Sequence, residues 1–516
     1  MKKIRKYGHA AGGKAAGVIT VFFTLLLTVF LALFFALVES ARVQGARSQA
    51  ANVTDLANCS LFSEYEKQLL SDYELFAVDA AYGGSRFSLS QMNRRFETFL
   101  SWNAYPSAGF AVPFCFDPWQ LDLEKGKITK YALLTDPGGA GFYEQAVAFM
   151  KETALSGAVG KLYAFYTDAR KLETLQETYE QEQDRSDADM ETAQQSAQEA
   201  IEQARKEGRK LKRPENLKNP VREVAGVIRS GIFRNVVDPA TVSNVSVSGF
   251  SLVSHRIRQR GNLYLEEQYG SLTDDLFFRE YLLDRFPNYR EPQNTSGNET
   301  VLAYQTEYLI AGKKSDLQNL KSIALRLVLL REGANYLYST QDAVMGSAAG
   351  SMALLLMGWT GMPAIVETTR QALLLAWSYG ESLLDVKTLF SGGRVPLMKT
   401  QQTWRLSLED LANLSQILSG ECPENGEGLY YRDYLRILLN LQGTSEQEKR
   451  GLDLIEMNLR YGCGLSSFRA DHCIVAVKDE TFWKIPPVFL RITGAFSGIV
   501  SAAWNTAVQA GFSYQS

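Results

Sequence analysis

The chain is 516 residues long, with 46% hydrophobic and 22% charged residues and a formal net charge of −3. That length exceeds one typical domain and predicts two or three packed units of ordinary globular composition. The slight acidity removes the electrostatic basis for nucleic acid as a partner, and five cysteines are too few for a disulfide scaffold.

Residues 1–14 form a basic leader carrying Lys2, Lys3, Arg5, Lys6 and Lys14. It is followed by an uncharged run of 24 residues, Ala15 to Val38. As a helix this run is about 36 Å long, enough to cross a hydrocarbon core of about 30 Å. A cleaved secretory signal has a shorter apolar core and ends at a small-residue site, and Val38-Glu39-Ser40-Ala41 is a poor one. The reading is a single-pass signal-anchor in the cell membrane. The positive flank places the N-terminus in the cytoplasm and the bulk of the chain outside it. Within the run, Ala16, Thr20, Thr24, Thr28, Ala32 and Ala36 recur every four residues. Small residues at this spacing let two membrane helices approach closely, so the stripe is a candidate helix–helix contact beyond the lipid itself. The alternative is that the threonines only bond their own helix backbone.

Residues 39–141 read as a membrane-proximal helix plus a small sheet. Val53, Leu56, Ala57, Leu61, Leu69 and Tyr73 keep helical spacing, which predicts one helix from about Ala16 to Leu70, roughly 80 Å long. LFAVD (75–79) reads as a short strand, and WQLDLEKGKITKYALLTD (119–136) as two strands around Glu124-Lys125-Gly126. Asp136-Pro137-Gly138-Gly139 is a turn, without the Gly-Lys-Ser/Thr of a phosphate loop. Residues 142–220 read as a projecting helical coiled-coil arm. One apolar stripe runs from Leu162 through Phe165, Ala169, Leu172 and Leu175 to Tyr179, and a second, Ala-rich stripe runs from Met190 to Leu211. The stretch 180–187 is either a hairpin tip or part of one long helix, and the arm either a docking surface or a spacer. Residues 221–300 form a mixed α/β segment, with a strand over 244–257 and a polar loop over 288–300. Residues 301–516 read as mainly helical. Tyr308 to Ile310 is a short strand, and Ser315 caps a helix reaching Tyr338. The uncharged stretch 345–366, broken at Gly358 to Pro363, reads as a buried helical hairpin rather than a second span. The fold class is therefore mainly α with a small β component (α+β).

Few residues suggest chemistry. His255 and His472 lack a G-x-S-x-G elbow, no H-E-x-x-H occurs, and His9 precedes the anchor. Glu381 and Asp385, at i and i+4 with Lys387 nearby, read as a solvated or salt-bridged face rather than an acid–base pair. Arg331 reads as the anchor of a buried carboxylate. Cys463 and Cys473 could close a short loop in an oxidising compartment. No catalytic, cofactor-binding or metal-binding residue is nominated.

The segment from Glu39 to Asp79, ESARVQGARSQAANVTDLANCSLFSEYEKQLLSDYELFAVD, resembles the start of an uncharacterised family of Gram-positive membrane proteins. FYEQAVAFMKE (142–152), EYLIAGKKSDLQNL (307–320), GGRVPLMKT (392–400) and YYRDYLRILL (430–439) extend the resemblance over most of the chain. That family is similar in layout to the TadE and TadG pseudopilins of tight-adherence pili. The resemblance implies a pilin-like head on the anchor and a structural or assembly role, with pilus or secretion subunits as partners, and it carries no established activity; the reading is that the protein is not an enzyme. Gly17 stands where pilin-like precursors are processed, but the fifth position after it is Phe22 rather than glutamate. The competing reading is a membrane-tethered cell-envelope enzyme or ligand-binding protein.

Overall fold

The structure is a computed structural model. It describes residues 13–104, 117–136, 141–154, 157, 159–180, 220–247, 251–264, 270–291, 301–420, 427–491 and 502–514. The Ala-rich stripe from Met190 to Leu211, the stretch after 180, most of the Pro137 turn and of the 288–300 loop, and His9, Cys115 and Cys422 lie outside these residues.

Helix α1, Gly13–Phe62, is a single 50-residue element. From Gly17 to Val38 it is uncharged and almost wholly exposed, long and apolar enough to cross a membrane. Its second half buries one stripe, Val43, Ala46, Ala50, Val53, Ala57 and Leu61, at spacings of three or four. The helix stops at Phe62 instead of continuing to Leu70. A short turn follows, and α2 (Lys67–Tyr73) restarts with the Glu66 carboxylate accepting the Gln68 N–H. The break turns Leu69 and Tyr73 away from the α1 stripe and into a second, larger core.

The α1 stripe packs on a four-stranded antiparallel sheet of β1 (Val78–Asp79), β2 (Asp122–Leu133), β3 (Cys473–Ile485) and β4 (Trp504–Ser513). β3 is central: β2 pairs along one edge, and β1 and β4 share the other. Three of the four strands thus meet a segment far along the chain. The predicted strand at 75–79 is β1. The two strands expected around Glu124-Lys125-Gly126 are one strand, with register shifts at Glu124, at Thr129 and between Ala132 and Leu133. Gly126 serves packing here and not a turn. A Cβ on it would lie 2.4 Å from Leu100 Cδ1, so its bareness lets α3 (Leu89–Ala104) settle on the same face as α1.

The second core is helical. It contains α4 (Phe142–Thr153), α5 (residues 159–180), α6 (Pro220–Ser230), α7 (Ile232–Val236), α8 (Leu272–Arg285) and α9 (Gln305–Ala311). The long pair α10 (Asp316–Gln341) and α12 (Pro363–Ser391) is linked by α11 (Ala343–Met357), and α13 (Leu414–Ser419), α14 (Tyr431–Asn440) and α15 (Thr444–Met457) complete it. The two cores meet where the Gln145 side-chain amide pairs with both backbone groups of Phe76 at 2.7 and 2.9 Å.

Several expectations change here. The first arm stripe does not project, because Ala169, Leu172 and Tyr179 are buried in the helical core and the Tyr179 hydroxyl donates to Glu332 at 2.8 Å. The 244–257 strand is absent from its described residues. Ser246 makes an isolated bridge to Ser315 and Val253–His255 is a turn of 3₁₀ helix, while Ser243 and Ser254 donate to Asp316 and Asp453. Side-chain acceptors take the hydroxyls that an alternating pattern would place on a sheet face. Tyr308 to Ile310 lies inside α9, which ends at Gly312 with φ of 63°. Ser315 does cap α10, accepting the Gln318 N–H. The 345–366 hairpin exists, turning at Gly361 ahead of Pro363, but only Met345, Ala349, Ala353 and Ile365 within it are buried; Leu354 and Leu355 are exposed.

The closeness of α1 to its surroundings can be tested at Gly45. A Cβ there would sit 2.2 Å from the Trp119 ring. Gly45→Val is expected to lower stability by about 1–3 kcal/mol, read as an earlier thermal midpoint in detergent. Gly226→Ala, with open space around it, is the control that leaves the midpoint unreduced.

Candidate functional site

The densest cluster of charged side chains lies between α10 and α12. α10 presents Arg331 and Asn335 one turn apart, and α12 presents Glu381, Ser382 and Asp385 opposite them. The chain leaving α12 turns at Gly392 and folds back to deliver Lys399 and Arg405. The side chains of Arg331, Glu381, Asp385 and Lys399 have no exposure at all.

Each carboxylate oxygen in this cluster is doubly engaged. Glu381 Oε1 accepts from Lys399 Nζ at 2.5 Å and from the Arg405 N–H at 3.2 Å, and Oε2 from the N–H groups of Leu406 at 2.8 Å and Arg405 at 3.3 Å. Asp385 Oδ1 accepts from Lys399 at 2.7 Å and Arg405 at 3.0 Å, and Oδ2 from Arg331 at 3.1 Å and Asn335 at 3.2 Å. Arg331 also donates to the Leu397 carbonyl at 2.6 Å. Burial by itself would raise the Asp385 carboxyl; Arg331, Lys399 and Arg405 hold it below the usual carboxylate range. With every acceptor position filled, the cluster acts as a lock that fastens the 392–406 segment to the helix pair.

Two sequence expectations meet here. Arg331 does anchor a buried carboxylate. Glu381 and Asp385 are salt-bridged but not solvated, and Lys387 is not with them; its ammonium donates to the Leu418 carbonyl at 2.6 Å. Lys399 and Arg405 were not anticipated. Their only signal was the GGRVPLMKT stretch, which holds Lys399 but says nothing of what it faces.

A second group of carboxyls is buried without cations. Glu307 accepts from the Tyr289 N–H at 2.8 Å and the Tyr431 hydroxyl at 2.9 Å, and its Oε2 has no donor among the described residues. Burial pushes it up to about 7 despite those two donors. Burial likewise raises Glu332, under Tyr179, to about 7. At the mouth of α8 a cleft of about 340 Å³ is lined by Arg285, Asn288, Glu291 and Arg432. Its cations pair with neighbouring acids, Arg432 with Glu291 at 3.5 Å and Arg285 with Asp284 at 3.5 Å and Glu74 at 3.7 Å.

The histidines and cysteines stand apart from these groups. His472 is buried beside Phe87 with its Nδ1 unbonded, His255 is exposed, and no hydroxyl reaches either imidazole among the described residues. Cys463 and Cys473 are not joined. Cys463 faces Asp72 at 3.7 Å, whereas Cys473 is buried at the start of β3.

The remaining site is the junction between the apolar half of α1 and the folded part of the chain. Glu39, the first acidic residue after the apolar run, is 1% exposed. Its carboxylate accepts from Arg42 at 2.6 and 2.9 Å and from the N–H groups of Val488, Phe489 and Leu490 at 3.1, 2.6 and 3.3 Å. Burial opposes its charge, but Arg42 and those N–H groups hold it below its ordinary value. Arg42 in turn donates to the carbonyls of Trp119 and Pro486 at 2.8 and 2.5 Å. Below this clasp Thr20, Thr24, Thr28, Ala32 and Ala36 are exposed; the side chain of Ala16 is outside the described residues. The threonine hydroxyls donate back to the carbonyls of Gly17, Val21 and Leu25 at 2.9, 2.9 and 2.7 Å.

Two substitutions test these assignments. Arg331→Met leaves Asp385 short of a cation in a dry interior and is expected to cost about 3–5 kcal/mol in chemical denaturation. Glu307 holds its proton to about pH 7 in the folded chain, against an ordinary value of 4.5. Its contribution is therefore complete below its unfolded value and is lost as pH rises through the folded one. Between about pH 5 and about pH 8 the wild type should lose more thermal stability than Glu307→Gln, which cannot ionise.

A family model, described as a family of unknown function (DUF5702), matches residues 210–485. No curated protein matches the chain, and no solved structure does. The matched stretch contains the ion network and the central strand β3, and it leaves out the anchor. Covering more than half of the chain, the match makes this protein a member of the DUF5702 family.

Proposed function

We propose that the protein is a membrane-anchored structural or assembly component whose bulk lies outside the cytoplasm, in an apparatus of the tight-adherence pilus or a related secretion type. The observation that carries this reading is the continuity of α1. One helix is apolar and exposed over its first half and forms the wall of the head's core over its second. A rigid connection of this kind transmits position and force between bilayer and head, which a tethered enzyme on a loose linker does not need. The ion clusters point the same way, because the network between α10 and α12 has its acceptors filled by the chain itself.

In this reading the anchor helix packs on other membrane helices through the Thr20, Thr24, Thr28, Ala32 and Ala36 stripe. With the hydroxyls turned onto their own backbone, that stripe offers a shallow, nonpolar surface suited to close helix approach. Protease added to intact cells should remove the head and spare an N-terminal tag; a protected head reverses the orientation. In-membrane crosslinking should then show a several-fold loss of helix-mediated adducts for Thr24→Leu, and unchanged adducts would remove the stripe as an interface.

A further inference from the structure

We infer that the turn Pro486–Arg491, together with Trp504, is a membrane-contacting foot of the head, seated at the edge of the same bilayer that holds α1. This rests on the anchor reading and adds a second point of attachment to it. The argument is one of height. Phe489 stacks on Phe35 with ring centroids 6.4 Å apart, and Phe35 lies within the uncharged run that ends at Val38. Val488, Phe489 and Leu490 are pinned by their N–H groups to Glu39, one residue past that run. Pro486 is pinned to Arg42, about 4.5 Å beyond Glu39 along the helix axis. Trp504 pairs with Ile485 and so sits at the same end of the sheet. The polar zone of a bilayer extends about 5–7 Å beyond each side of its hydrocarbon core, so these side chains fall at its inner and outer limits.

The chemistry of the turn suits that position. Phe489, Leu490 and Trp504 are only partly buried, and Arg491 is exposed. Apolar and indole rings with a neighbouring cation are what the boundary between acyl chains and headgroups accommodates. Glu39 would be costly at this depth as a bare anion. It is buried, paired with Arg42 and saturated with three backbone donors, so the acid at the boundary does not repel the foot from lipid. A competing exposed apolar surface, the α11 tip with Leu354 and Leu355 and the half-buried Trp359 just beyond it, is carried by the α11–α12 hairpin of the helical core.

The anchor run contains no tryptophan, so quenching of indole emission by lipid reports on the rest of the chain. The full chain is placed in nanodiscs of phosphatidylcholine, plain or brominated on the acyl chain near the glycerol. Wild-type emission is expected to fall in the brominated discs. Phe489→Trp, which keeps an aromatic ring on Phe35, should enlarge the fractional drop, and Trp504→Phe should shrink it. Equal emission in both lipids for wild type and Phe489→Trp overturns the foot. A drop abolished by Trp359→Phe but not by Trp504→Phe also overturns it and assigns the contact to the α11 tip. Failure of the chain to co-elute with the discs would instead overturn the anchor itself.

Discussion

One uninterrupted helix has to satisfy two surroundings, and most of the molecule follows from that. From Ala15 to Val38 α1 has no charged side chain, and most of that run is exposed, as a helix suited to lipid requires. Its second half must bury a stripe that is largely alanine and valine. Such a stripe gains little from its own bulk but allows close approach, and the sheet takes that opportunity. Thr54 meets Thr481 at 3.0 Å and Asn58 donates to Asp479 at 2.8 Å, so the contact has a polar seam that fixes the register of helix against strand. Burial pushes Asp479 up to about 6. Next to the apolar run the Glu39–Arg42 clasp ties the helix to Trp119 and Pro486, closing the sheet's edge against α1.

The helical core is organised by a different constraint. Five charged side chains, three of them cations, meet between α10 and α12 and the segment that folds back over them. Ion pairs removed from water rarely add net stability over a packed apolar core, because desolvation offsets the attraction. What they add is discrimination: a shifted α12 would leave buried charges unpaired. The Arg256 guanidinium does the same at the sheet boundary, bound to Glu456 at 2.7 Å and also to Asp471 just ahead of β3. These bonds join segments 200 residues apart or more along the chain. The sheet and the helical core are thus held in one arrangement by specific polar contacts set in apolar surroundings.

Buried carboxyls without cations give the fold a lean toward the protonated state. Glu307 and Glu332 sit among tyrosines, and both are raised to about 7. Such groups stabilise the fold while they hold their protons and weaken it when forced to ionise, so the interior is better suited to neutral or mildly acidic surroundings than to alkaline ones.

Local signals in the sequence determined the apolar run and its basic flank, the amphipathic continuation as far as Phe62, the β1 strand, the Ser315 cap and the hairpin break at Gly361 and Pro363. Each depends on residues within a turn or two of one another, where propensity and periodicity act directly. The same reasoning singled out Arg331, since an arginine amid leucines needs an acid nearby. Only the tertiary structure decided that β3 is the centre of the sheet, that Gly126 is a packing gap rather than a turn, that Ser243 and Ser254 turn to the distant carboxylates of Asp316 and Asp453, and that Lys399 and Arg405 complete the ion network. It likewise decided that Glu39 caps residues 450 positions away. All of these are pairings between segments remote in the chain, and a hydrogen bond or ion pair leaves no periodic trace in either partner until the fold brings them together.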